Sequence, residues 1–190
     1  MLAVAPGCAT RPPTPSPEAL AAWSQQRASA GGIQRFTLQG RFAAGGIFGT
    51  KGQVHWAQLG EDYQVRLWGP FGAGAVLISG NLEHAEIRTA EERFQTTDPE
   101  RALRERYGWT LPVAQLRWWV LGIPAPAGKA GLQLDDQGRL SNLEQSGWSL
   151  DYQEYQFVDG RQLPRKLALA NDEFTVKLVV DQWSELGEAP

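Results

Sequence analysis

Between residues 36 and 68, apolar side chains take every second position, and glycine-rich breaks cut the pattern into short runs. Phe36, Leu38, Gly40 and Phe42 alternate with Thr37, Gln39 and Arg41. Val54 and Trp56 continue an apolar face with His55 opposite, and Tyr63, Val65 and Leu67 alternate with Gln64, Arg66 and Trp68. A period of two is what a half-buried strand presents; a helix, repeating about every 3.6 residues, cannot sit under it. Gly45-Gly46, residues 49–52 and Gly60-Glu61-Asp62 supply the turns. Further strands are expected at 74–79, 82–89, 93–96, 132–135, 140–145, 148–157, 165–170 and 173–183, with Asn171-Asp172 as a tight turn. About eleven short strands joined by turns predict an antiparallel sheet that curls or closes.

Helical signals stand at two places. Ser16 as N-cap and Pro17 at the first helical position predict a helix over 17–29, with Leu20, Trp23 and Arg27 on one face and Gly31-Gly32 ending it. Asp98-Pro99-Glu100 starts a second helix that runs through Leu103 to Gly108. Pro112 opens a third, with Val113, Leu116, Trp119 and Val120 on one face, ending before Gly122-Ile123-Pro124. The fold class is therefore mainly β with helices. The eight tryptophans each bring a large apolar surface with one donor, so the chain packs a wide core or lines something bulky.

Composition narrows the functional classes. With 190 residues and a net charge of −3, the chain fits one domain and argues against nucleic acid as the main partner. It has no run of about eighteen apolar residues that would span a membrane as a helix. Residues 45–51 fail the G-x-x-x-x-G-K-[ST] spacing, because position 50 is Thr and Lys51 is followed by Gly52. The run Ala127-Gly128-Lys129-Ala130 also fails, since Ile123 stands where the first glycine belongs. His55 and His84 lack acidic or cysteine partners at metal spacing, and Asp135-Asp136 before Gln137-Gly138 reads as a hairpin turn. No G-x-S-x-G occurs. The chain is expected to bind rather than convert, with no cofactor and no metal.

The one cysteine, Cys8, follows Ala5-Pro6-Gly7 and precedes Ala9-Thr10-Arg11-Pro12-Pro13-Thr14-Pro15-Ser16-Pro17. Such a tether, in polyproline geometry, advances about 3.1 Å per residue. A lone cysteine ahead of a tether is the layout of a bacterial lipoprotein; on its own it is equally a leftover thiol. Met1-Leu2-Ala3-Val4 is too short for a full secretory signal, so residues 1–7 are expected to be a signal-peptide remnant.

Seven motifs appear in one order. They are Gly40-Arg41-Phe42, Trp56, Leu67-Trp68-Gly69-Pro70-Phe71-Gly72, Gly108-Trp109-Thr110-Leu111-Pro112-Val113, Leu116-Arg117-Trp118-Trp119-Val120-Leu121-Gly122-Ile123-Pro124, Gln145-Ser146-Gly147-Trp148 and Leu163-Pro164-Arg165-Lys166-Leu167. This series, from about Trp23 to Trp183, resembles the LolB family of outer-membrane lipoprotein localisation factors of Gram-negative bacteria. The resemblance implies an incomplete antiparallel β-barrel with an α-helical lid over an apolar cavity. It implies a monomer, lipid-anchored on the periplasmic face of the outer membrane, that accepts acylated lipoproteins from a LolA-like carrier and inserts them among the outer membrane lipids. It also implies lipidation at Cys8, a tether over 8–17 and one lipoprotein-binding domain over 18–190. A soluble periplasmic carrier of the same fold is the main rival, and it would need neither the anchor nor an exposed apolar tip. An enzyme acting on lipids or cell-wall material and a structural lipoprotein without cargo are more distant rivals.

Under that resemblance the inward faces become candidate lining for acyl chains such as palmitate: Phe36, Leu38, Phe42, Val54, Trp56, Tyr63, Val65, Leu67, Trp148, Leu150, Phe174, Val176 and Leu178. Periodicity alone describes an ordinary packed core just as well. The helical middle becomes a lid, with Leu103, Leu116 and Trp119 pointing inward; by itself it also fits a packed α+β domain. Pro70 and Gly72 suit the second and fourth positions of a turn, which places Phe71 near a loop tip. A phenyl ring there either folds back or meets an apolar partner. In the family the matching loop carries a protruding hydrophobic residue that places cargo in the membrane, with leucine in other members.

Overall fold

Each alternating segment pairs with its neighbour in sequence, so the sheet grows as two meanders. The computed structural model describes residues 15–45, 50–108 and 112–188. The first meander comprises β1 (Arg35–Gly45), β2 (Thr50–Leu59), β3 (Asp62–Trp68), β4 (Val76–Gly80), β5 (Ala85–Arg88) and β6 (Arg93–Thr96). The second comprises β7 (Ala130–Leu134), β8 (Leu140–Gln145), β9 (Trp148–Val158), β10 (Arg161–Ala170) and β11 (Thr175–Gly187). Antiparallel pairing of β1 with β11 joins them into one eleven-stranded sheet of order β6-β5-β4-β3-β2-β1-β11-β10-β9-β8-β7. Closure would require β6 to pair with β7. The chain between them instead forms α2 (Pro99–Tyr107) and α3 (Val113–Trp119), so the barrel stays open and helices occupy the connection.

The seam is irregular. The β1–β11 register slips between Gln39 and Gly40, and a Cβ added at Gly40 would stand 2.3 Å from the Val179 carbonyl oxygen. No larger residue fits so close a crossing. Across the same seam Arg41 donates to both carboxylate oxygens of Asp181, at 2.9 and 2.8 Å. That hydrogen-bonded guanidinium holds the Asp181 carboxyl below its ordinary pKa.

The first helix, α1, covers Pro17–Gly31, and the Ser16 hydroxyl accepts from the Ala19 N–H at 3.1 Å. Its buried residues are Ala19, Trp23 and Ala30, whereas Leu20 is half exposed. The reason is its partner, the β7–β8 turn. A Cβ at Gly138 would lie 2.3 Å from the Ala19 carbonyl oxygen and 2.7 Å from the Ala22 Cβ. Gly138 also has φ +72°, where side chains are strained. Gly138→Val is therefore expected to lift α1 and cost about 2 kcal/mol or more, read as a lower denaturation midpoint with a red-shifted Trp23 emission.

Pro164 lies inside β10, which begins four residues earlier than the sequence pattern suggests. A register shift against β9 between Pro164 and Lys166 accommodates the missing donor. The β10–β11 connection spans residues 171–174, longer than a tight Asn171-Asp172 turn. The Asn171 Oδ1 accepts from the N–H groups of Glu173 and Phe174, and β11 starts at Thr175.

Topology sorts the strand connections into two ends. The α1 end gathers the β2–β3, β4–β5, β7–β8 and β9–β10 turns. The opposite end gathers the end of β1 at Gly45, the start of β2 at Thr50, and the connections 69–75, 146–147 and 171–174. At the α1 end the barrel is solid. The Phe36 ring lies 5.5 Å from both Trp56 and Trp183, tilted in one case and edge-on in the other. Leu38, Ile78, Ile87 and Leu163 are fully buried in the same core. Among the described residues, no helix is long and apolar enough to cross a membrane.

Candidate functional site

Above this aromatic floor the barrel is hollow. A cavity of about 650 Å³ occupies the end away from α1, within the roughly 300–1,000 Å³ of small-molecule sites. Phe42, Val54, Trp56, Val65, Leu67, Trp148, Phe174, Val176 and Leu178 line it. Phe36, Leu38, Tyr63 and Leu150 do not line it. Phe36, Leu38 and Tyr63 face inward but sit lower along the barrel axis, toward the α1 end, whereas Leu150 lies opposite the wall residue Leu169 and is fully buried there. Among the described lining residues, Glu173 at the rim is the only one with a formal charge at neutral pH.

Further walls come from Ala44, Val76, Leu169, Val113 and Val120. Val76 and Leu169 follow the same period of two as Ile78 and Leu167, so extending the alternation one step finds them. Of the three expected lid residues, Leu116 lines the cavity. Leu103 and Trp119 are fully buried outside it.

The two middle helices are held in different ways. Asp98 caps α2, accepting from the Arg101 N–H at 2.9 Å, and Gly108 ends it at φ +68°. Its last turn is tied to the sheet edge at the surface. Arg106 pairs with Glu92 and lies 3.8 Å over the Phe94 ring, and the Tyr107 hydroxyl donates to Glu92 at 2.8 Å. Tyr107 and Gly108 then contribute to the cavity rim.

The end of α3 is instead locked into the interior. Tyr152 donates its hydroxyl to the Trp119 carbonyl at 2.9 Å; burial pushes that phenol well above its ordinary pKa, so it remains a neutral donor. Gln145 accepts from the Trp119 indole N–H and the Ala125 N–H, both at 2.9 Å. Its amide donates to the Ala125 and Ala127 carbonyls at 2.9 and 3.0 Å. The Trp119 and Trp148 rings pack 6.4 Å apart. The blocks 116–124 and 145–148 thus meet in space, and they position α3 beside the cavity more than they line it. Sequence alone gives no sign that Gln145 is this hub.

At the opposite rim, Pro70–Gly72 forms one 3-10 turn, clipped by Gly69 N–H to Ala73 O at 2.8 Å. Phe71 at its tip is fully exposed and adopts φ +58°, ψ +21°. Bulky residues rarely occupy that left-handed region. Gly69, Ala73 and Gly74 line the cavity, so the exposed ring is rooted on its rim. Cys8 and the proline-rich tether up to position 14 lie outside the described residues.

Two solved structures match this fold. A LolA superfamily protein from Nitrosomonas europaea superposes with a TM-score of 0.56 at 7% identity, covering 92% of this chain and 95% of that one. A DUF1329 family protein from Desulfovibrio piger gives 0.51 at 10% identity, covering 91% and 94%. Sequence relatives are closer. Outer-membrane lipoprotein LolB of Pseudomonas fluorescens is 34% identical over 168 residues, 86% of this chain and 80% of the relative. Outer-membrane lipoprotein LolB of Chromohalobacter salexigens is 30% identical over 190 residues, 99% and 89% respectively. The Pseudomonas aeruginosa protein of that name is 41% identical over 133 residues, 70% and 65%. Residues 34–183 match the family model Outer membrane lipoprotein LolB, and this chain belongs to that family.

Proposed function

We propose that the chain is a monomeric outer-membrane receptor, anchored through acylated Cys8, that takes lipoproteins from a LolA-like periplasmic carrier and inserts them into the facing leaflet. The observation that carries this reading is the hollow apolar half of the barrel. Burial of hydrocarbon is worth about 0.8 kcal/mol per methylene. A chain of roughly sixteen carbons therefore costs on the order of 10 kcal/mol to expose to water. A cavity walled by tryptophan, valine and leucine shelters such a chain without selecting among proteins, since only the lipid is common to all cargo. Movement from carrier to receptor to bilayer follows from successively deeper apolar sinks. No residue is assigned a catalytic role.

Displacement of a dansylated fatty acid tests the cavity. Val176→Trp adds bulk to a half-buried cavity wall. It is expected to leave the fold intact and weaken probe binding by about tenfold or more, a loss of about 1.4 kcal/mol. Unchanged affinity in a folded variant would place acyl binding elsewhere. Mass spectrometry of the membrane-extracted protein tests acylation of Cys8, which should add the mass of the lipid to the N-terminal peptide.

A further inference from the structure

The outer wall of the barrel is basic where it adjoins the Phe71 tip. Lys51 and Lys177 stand on either side of Ala43 in one row across β2, β1 and β11. Further from the mouth, His55, Arg66, Leu77, Arg88 and Arg93 form a second row across β2 to β6. Both rows face outward, because the strand neighbours Val54, Val65, Ile78, Ile87 and Leu178 are buried. Adjacent strands lie about 4.8 Å apart, so cations two strands apart in a row are separated by about 10 Å.

Little opposes this charge. Arg41, between the rows, is neutralised by Asp181. Glu86 is one carboxylate shared by Arg88 and Arg93, at 2.9 and 2.7 Å. Lys51, Arg66 and Lys177 pair with no carboxylate among the described residues. Glu61, Asp62 and Glu83 sit in or beside turns at the α1 end, and Glu92 in the β5–β6 turn is held by Arg106. Glu91, Asp172 and Glu173 stand in loops at the margins of the wall. A chain of net charge −3 thus carries one wall that is net positive.

This wall is continuous with the apolar tip. From Arg66, β3 runs through Trp68 into Pro70–Gly72, and a Cβ at Gly69 would lie 3.9 Å from the Lys51 carbonyl oxygen. The Arg66 guanidinium lies 5.3 Å from the centre of the Trp68 ring. An exposed phenyl group, a half-buried indole and then cations follow one another along the surface. That is the order of chemistry met on passing from the hydrocarbon of a bilayer, through its interface, to its charged headgroups.

We propose that this wall, centred on Lys51 and Arg66, docks on anionic phospholipid headgroups and sets the tilt at which the Phe71 tip meets the bilayer. The proposal rests on the receptor reading, in which Phe71 faces lipid. A single apolar side chain supplies depth but no orientation. Cations on one flank of it lean the mouth toward that flank, and their attraction acts over about a Debye length, roughly 10 Å in 0.1 M salt.

The test is flotation of the full chain carrying Cys8→Ser, so that no acyl anchor masks the contact. Vesicles of phosphatidylcholine are compared with vesicles in which about one quarter is phosphatidylglycerol. Each Lys or Arg near an anionic surface contributes about fivefold in affinity. The protein is therefore expected to bind the anionic vesicles about tenfold or more tighter, and to lose that preference in about 1 M salt, where the Debye length falls to about 3 Å. Lys51→Glu with Arg66→Glu should weaken binding to the anionic vesicles by about twentyfold or more, while acyl-probe affinity stays within about twofold. Arg27→Glu with Lys129→Glu, which changes net charge equally but away from this wall, should cost less than about threefold. Equal binding to the two kinds of vesicle overturns the proposal and leaves the cavity reading intact. An equal loss in both double variants also overturns it, by assigning the effect to net charge. Normal vesicle binding by Lys51→Glu with Arg66→Glu, together with slower uptake of lipoprotein from the carrier, overturns it in favour of a carrier-facing wall. Failure of palmitic acid to displace the acyl probe is a separate result, which overturns the receptor reading and, with it, this one.

Discussion

Phe71→Glu is expected to leave the protein folded and able to bind an acyl probe, while cutting delivery of lipoprotein into vesicles by about a hundredfold or more. Phe71 touches no core and is fully exposed, so the fold has nothing to lose from the change. Its value lies outside the molecule. Burying a phenyl group in lipid contributes about 1.5–3 kcal/mol, whereas an acidic side chain deep in a bilayer costs about 2.5–3.5 kcal/mol. Even a fraction of that reversal reaches the stated effect. A second variant separates membrane contact from loop shape. Phe71 holds φ +58° against its own side chain, and a non-glycine residue there costs about 1–2 kcal/mol. Phe71→Gly should therefore be as stable as wild type or slightly more so, and still fail to insert cargo. A vesicle assay with a fluorescent lipoprotein, run beside thermal denaturation, reads both. Wild-type insertion by Phe71→Glu would remove the tip from the mechanism.

The loop was legible because Pro70 and Gly72 bracket Phe71 in a turn pattern; its left-handed backbone was not. The same division runs through the fold. Caps at Ser16, Asp98 and Gly108 are local chemistry, and the helices begin or end at them. Where the sequence assigned a face, on β1, β2, β3, β9 and β11, alternation identified the inward one with Trp68 as the exception, since the pleat alone fixes that. It carried no information on height along the barrel axis. Phe36 and Phe42 share one face of β1, yet one is floor and the other is wall. What separates them is the meeting of Phe36 with Trp183, almost a chain-length away in sequence. Leu20 shows the same limit. Helical spacing with Trp23 suggested a shared buried face, but the Gly138 turn packs against Ala19 and Ala22 and leaves Leu20 half exposed. Pro164 hid the start of β10, because a proline reads as a break unless the bulge beside it, at Arg165 of the same strand, is known.

The division into a filled and a hollow half answers a conflict between stability and cargo binding. An empty apolar space forfeits contacts its walls would otherwise make. Here the cost is confined to one end, while Phe36, Trp56 and Trp183 close the other at aromatic contact distance. Trp56 belongs to both halves, lining the cavity from above and packing on Phe36 below. Its indole N–H is satisfied by Gln58 at 3.0 Å, so a large ring forms the floor without an unpaired donor. The lid follows the same logic. The buried end of α3 is fixed to the filled sheet by Tyr152 and Gln145, whereas α2 is anchored by the fully buried Leu103 and tied at the surface to Glu92.

Gln145→Leu should expose how much of the molecule depends on those ties. The substitution keeps the approximate volume and removes the side-chain amide to which α3 and the loop after it are bonded. The indole N–H of Trp119, the Ala125 N–H and C=O, and the Ala127 C=O all lose their bond. Three of these four groups are buried, and each left unsatisfied costs about 1–3 kcal/mol, so the total is on the order of 3–9 kcal/mol. That is comparable to the whole stability of a domain, about 5–15 kcal/mol, and the melting temperature should fall by about 10 °C or more. Because α3 supplies Val113, Leu116 and Val120 to the cavity wall or its edge, acyl-probe affinity should fall with it. Gln145→Glu gives the sign of the effect. Its carboxylate could still accept from the two N–H groups, but it would face two carbonyl oxygens with no proton to offer. Protonation restores one donor, so the folded state should raise this carboxyl above its unfolded value of about 4.3. Stability of Gln145→Glu should then be greatest below that value and decline as pH rises through the folded pKa, because the native state binds more protons than the unfolded one. A denaturation midpoint that is flat with pH from 4 to 8 in Gln145→Glu, relative to wild type, would mean that the side chain at 145 does not hold α3 as the structure shows.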